Sequence, residues 1–127
     1  MAIENVILKD TMQAQEDLSA CQYLAVSLDD GKKAEAGHEA SGVLMNKPES
    51  GEMATIGVIG IMKYKAGGAI TKGDRLAVKA SGLFYSAGSG YHFVGTARET
   101  LSGAGSIGTG LFNFTTPVYA NTSDFIN

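Results

Sequence analysis

With 127 residues the chain is long enough for one domain with a real core and too short for two ordinary ones. Its formal charge of −3 and pI near 5.3 offer no general attraction for nucleic acid, and a lone cysteine, Cys21, excludes an internal disulfide. The opening "MAIENVILKD" carries charges where a signal peptide needs an apolar core, and nowhere do about 18 uncharged apolar residues run together, which disfavours secretion and membrane insertion by standard routes.

In chain order, residues 1–13 read as an N-terminal arm with Ile3, Val6, Ile7 and Leu8 as its apolar side chains. From Asp10 to Cys21, "DTMQAQEDLSAC" is either a short helix capped by Asp10, with Met12, Leu18 and Cys21 on one side, or an irregular, extended segment. The apolar runs that follow are short and bounded by Gly, Asp, Asn or Ser, as strand ends are: "QYLAVSL", "SGVLM", "ATIGVIGIMKY", "RLAVKA", "LFYS", "YHFVGTA" and "GTGLFNFTTPVY". Asp29 and Asp30 form a turn with Gly31, "ARETLS" at 97–102 allows one helical turn, Pro117 belongs at a strand end, and residues 118–127 make a polar tail. Seventeen glycines against two prolines fit this pattern, because glycine costs backbone entropy inside regular elements and is favoured in the turns between them.

The chain also answers itself. "LSACQYLAV" at 18–26 aligns without gaps on "ITKGDRLAV" at 70–78, a spacing of 52. Gly31 then answers Gly82, Gly42 answers Gly95, and "TIGVIGIMKY" answers "SIGTGLFNF", at spacings of 51, 53 and 51. Two copies of one β-unit, 14–65 and 66–117, predict a mainly β fold with at most one or two short helices. The form expected is a small β-barrel or β-roll in which each half covers the other's sheet.

Three motifs imitate cofactor sites. Gly68 to Gly73 opens like a phosphate-binding loop, but Asp74 and Arg75 stand where Lys and Ser/Thr are needed and a strand follows instead of a helix. Gly73 and Asp74 read better as a structural turn: glycine takes positive φ, and the aspartate bonds nearby backbone N–H groups. "GAGSIG" at 103–108 has the letters of a dinucleotide loop but leads into "TGLFNFTT", a strand. Met62-Lys63 resembles the modified site of biotin/lipoyl-type carrier domains, yet Lys63 and Lys65 trail a long apolar strand and flank Tyr64 as on a strand running out to solvent. His38 and His92 form no metal-ligand pair, and no nucleophile signature occurs, so neither an enzyme, a metal nor a cofactor is expected.

The order "ASGVLMN", "ATIGVIGIMKYKAGGAITKGDRLAV", "SGLF", "FVGTARE", "GSIGTGLF" resembles the head decoration, or capsid cement, proteins of tailed bacteriophages over roughly residues 40–112. Ala69, Ile70, Gly73, Asp74 and Leu76 fit the turn of that family, while Leu44 stands where alanine is more usual. The resemblance implies a non-enzymatic virion protein that is assembled in the host cytoplasm and binds the capsid outer surface. There it would sit as a homotrimer and clamp neighbouring subunits of the major capsid protein, with neither nucleic acid nor membrane as partner. Ile3, Val6, Ile7 and Leu8 are then candidate capsid contacts, by strand addition to a neighbour, although a strand folded onto its own domain explains the same apolar residues. A head fibre base, a tail adaptor, and a carrier domain modified on Lys63 are the alternatives.

Overall fold

The computed structural model describes residues 5–28, 30–34, 40–87, 92–114 and 118–119, which contain ten strands, one 3-10 turn at Ala80–Gly82 and no α-helix. In chain order the strands are β1 (Asn5–Gln13), β2 (Ala25–Ser27), β3 (Lys32–Lys33), β4 (Gly42–Leu44), β5 (Met53–Lys65), β6 (Arg75–Val78), β7 (Phe84–Ser86), β8 (His92–Ala97), β9 (Ile107–Asn113) and β10 (Val118–Tyr119). They form one curled antiparallel half-barrel sheet in the order β3-β2-β4-β5-β9-β8-β6-β7, with β1 added to β5 and β10 to β8. The mainly β fold expected from the glycine-bounded apolar runs is the one that forms.

That order reads alike from both ends. β2 pairs with β3 and β4, and β4 with β5; β6 pairs with β7 and β8, and β8 with β9. The long β5–β9 ladder, from Ile59↔Asn113 to Lys65↔Ile107, joins the two sets.

β5 owes its place to strict alternation. Ala54, Ile56, Val58, Met62 and Tyr64 are buried, while Ile59, Ile61, Lys63 and Lys65 are half-buried on the outer face. The strand is bent. Tyr23 donates its N–H to the Leu44 carbonyl at 2.8 Å and accepts the Lys65 N–H at 3.0 Å, and Leu44 pairs with Ile56. One residue thus ties two points of β5 that a straight strand would hold about 30 Å apart. Tyr23 does so at φ +72°, a conformation costing on the order of 1–3 kcal/mol, which these two bonds offset.

The core under the sheet differs along its length. Leu18, Leu24, Val26, Val43, Leu44 and Ile56 fill the first half. In the second, Tyr64, Phe84 and Phe112 meet edge to face with ring centroids 5.3 to 5.7 Å apart, and Phe114 stacks on Phe112 at 5.5 Å.

Several local expectations are corrected. Of the two readings of residues 10–21 the helix gives way and the irregular, extended one holds: β1 runs through Asp10 to Gln13, Asp10 Oδ1 accepts the Thr11 N–H, and the chain to Cys21 is irregular. Met12, Leu18 and Cys21 still reach the core, since an irregular segment can bury them as well as a helix can. Residues 97–102 form no helical turn, because Leu101 exchanges both backbone hydrogen bonds with Ile70 and is buried there. "GTGLFNFTTPVY" holds two strands, β9 and β10, and Lys32–Lys33 adds a strand that two consecutive lysines gave no sign of. Pro117, Asp29 and His38 lie outside the described residues.

Residues 5–13 pair along β5 of the same chain, from Gln13↔Met53 to Asn5↔Ile61, with register shifts between Val6 and Lys9. At Gly60 the two backbones nearly touch. A Cβ there would lie 2.5 Å from the Asn5 carbonyl oxygen, and φ is +131°, so both space and conformation demand glycine.

Candidate functional site

The turn singled out in the sequence is architectural. Gly73 takes φ +94° and donates its N–H to the Ala97 carbonyl at 2.9 Å. Asp74 Oδ2 accepts the Thr71 N–H at 2.9 Å, and its backbone N–H donates to the Thr71 carbonyl. Ile70, Leu76 and Val78 are buried beneath this turn, and β6 continues where a phosphate loop would start a helix. "GAGSIG" likewise leads into β9. Lys63 sits within the β5–β9 ladder opposite Thr109, its Nζ 5.8 Å from the Tyr23 ring centroid, a position unlike a hairpin tip.

Among the described residues no three His, Cys, Asp or Glu side chains gather as a metal site. The backbone of His92 lies in β8 opposite Tyr119. Cys21 is buried, and that burial pushes its thiol pKa up, so it stays protonated at neutral pH. The Tyr64 hydroxyl is fully buried with no hydrogen-bond partner among the described residues. Burial first, and the charges of Glu99 and Asp74 after it, push its pKa up to about 12. Neither group is placed to act on a ligand.

Among the described residues, what the molecule offers is exposed apolar surface, chiefly in two places. The first surrounds β1. Ile7 is 76% exposed and Leu8 44%, while Val6 packs on the core; Ile3 lies outside the described residues. Beside Leu8 runs a groove of about 520 Å³ lined by Leu8, Lys9, Asp10, Leu28, Val58 and Phe114 among others. Its far wall is fixed where Leu28 donates its N–H to Ser41 Oγ.

The second is the outer face of β5 and β9. Ile107 and Leu111 are 44% and 49% exposed, opposite Lys65 and Ile61. A shallow depression of about 380 Å³ between Ile59, Phe93, Leu111 and Asn113 continues it toward β8. Sequence reasoning singled out the first surface and missed the second. In "GTGLFNF" alternation sets Phe112 and Phe114 against Leu111 and Asn113, but one outward leucine marks no surface until the strand beside it is known. The available signal was the partner strand, where Lys63 and Lys65 mark the outer face.

No protein-family model and no curated protein matches the chain. Among solved structures it is similar to the crystal structure of the head fiber gp8.5 N base of bacteriophage phi29, with a TM-score of 0.62 and 19% identity over 84% of this chain and 94% of that one. At that identity the likeness establishes a shared fold.

Proposed function

We propose that this chain is a structural protein of a phage virion that attaches to the outside of the head and clamps neighbouring major capsid subunits, acting as a homotrimer. The observation that carries the reading is the fold: nearly the whole of a phage head fiber base superposes on nearly the whole of this chain. An acidic β-domain whose described residues assemble no metal cluster, and which exposes apolar side chains in two patches, has the surface of a protein that works by contact. Many copies on a lattice make modest affinity at each site sufficient.

Ile7 and Leu8 on β1, with the groove beside them, are the proposed shell contact. Since β1 is part of the sheet, deleting residues 2–9 would disturb the fold as well as the contact, so exposed substitutions are the cleaner probe. Purified protein should co-sediment with heads that lack it and raise their thermal tolerance, and Ile7→Asp with Leu8→Asp should weaken that binding at least about tenfold while leaving the melting temperature in place. Wild-type protein that fails to bind heads refutes the reading. The likeness to a fibre base favours a second reading, an anchoring base for a longer appendage; heads that bind the protein with no gain in thermal tolerance would select it.

A further inference from the structure

The surface on β1 leaves the outer face of β5 and β9 without a role. There the cross-strand neighbours are Ile59 with Asn113, Ile61 with Leu111, Lys63 with Thr109 and Lys65 with Ile107. One row, Ile61–Leu111–Thr96–Arg75, crosses four strands. None of these positions holds a carboxylate. Glu99, the nearby acid, bonds the backbone N–H of Thr109 from the β8–β9 connection.

In a chain of net charge −3 this separation matters. With Lys63, Lys65 and Arg75 set aside, seven Lys and Arg stand against 13 Asp and Glu, so the rest of the molecule carries −6. We propose that this face is where one copy of the chain docks head to tail on the next, its apolar row and its lysines meeting the acidic remainder of that copy's surface. A two-fold contact would set this face against itself and gather the Lys63, Lys65 and Arg75 of both copies in one interface whose paired positions hold no carboxylate, which like charges oppose. A heterologous contact pairs opposite charges and, when the rotation closes, makes a ring. Exposed Ile107 and Leu111 supply the desolvation, and the lysines supply direction and choice of partner. The inference rests on the reading that copies act as a group on the head, and it names the surface that groups them.

The test is the mass of the full chain in solution, by sedimentation equilibrium at low and high salt. The 13.2 kDa chain should associate into a closed oligomer at low salt, and high salt should weaken it about tenfold as the charges are screened. Leu111→Asp should give a monomer, and Lys63→Glu with Lys65→Glu should do the same without touching an apolar group; Ile7→Asp should leave the oligomer intact. A wild-type chain that stays monomeric, or an oligomer that survives both sets of changes on this face, overturns the proposal. Head binding measured on the same samples separates the two readings. An oligomer that does not bind heads supports this inference and removes the virion reading alone. A monomeric wild type whose head binding is lost in Leu111→Asp assigns the face to the shell and overturns self-association.

Discussion

From β2 to the start of β5 the core is aliphatic, resting on Leu18, Leu24, Val43, Leu44 and Ile56, whereas from the end of β5 to just past β9 it holds a ring cluster, with Phe84, Phe112 and Phe114 around Tyr64. The order in which strands pair is nevertheless the same in both. Connectivity therefore follows from where the chain alternates and turns, and side-chain shape decides how firmly each half is held. Edge-to-face and stacked ring pairs add about 0.5–1.5 kcal/mol each beyond the area they bury, so truncating a ring in the cluster is expected to cost more than truncating a leucine in the aliphatic half.

The largest expected effect tests that difference directly. Phe112→Ala removes a ring that touches three others and should cost about 3–5 kcal/mol, toward the upper end and more than Leu44→Ala, whose class costs about 2–5, read from urea unfolding midpoints. A larger loss at Leu44 would reverse the ranking of the halves.

The next effect belongs to the aromatic half alone. Tyr64 ionises near pH 12 in the fold and near 10 when unfolded, so below pH 10 both states are protonated and its ionisation leaves stability unchanged. Between pH 10 and 12 the unfolded state sheds the proton first, and stability falls by roughly 2–3 kcal/mol. Tyr64→Phe should flatten that decline, and at neutral pH should cost less than about 1 kcal/mol because the buried hydroxyl has no partner among the described residues. A variant with the same alkaline decline would place its cause elsewhere.

The smallest effect falls where the halves meet. Gly60 pairs with Val6 of β1 and with Phe112 of β9. Gly60→Ala should cost about 1–3 kcal/mol and speed amide exchange along residues 5–13 more than along β9, because the added methyl meets the β1 backbone. Equal acceleration in both strands would mean that β1 and β9 open together.

How much of this was legible in the sequence depended on local pattern. Period-two runs placed β5, β6 and β8 closely, and the turn at Gly73 and Asp74 was readable because a glycine with positive φ and a carboxylate bonding nearby backbone are short-range chemistry. What escaped was set at long range. Lys32 and Lys33 join the sheet through Val26 and Ser27, not through any preference of lysine for strands. Leu101 leaves the helical option because Ile70, far off in sequence, offers both bonds. The β1 surface was legible as apolar residues in a terminal segment, whereas the β9 surface required knowing that β5 lies beside it, with Ile61 against Leu111 and Lys65 against Ile107.

The sheet's margins bear on how such a chain behaves at high concentration. The strand path ends in β3, two residues, and β7, three residues, too short to template another chain. β1 is long, but Lys9 and Asp10 lie along it, its register shifts twice, and the Thr11 N–H is already occupied by Asp10 Oδ1. Among the described residues, these three margins are thereby poor templates for edge-to-edge stacking. Contacts of a chain with such margins are left to broad faces, which fit a chosen partner, and withheld from bare backbone, which fits any strand.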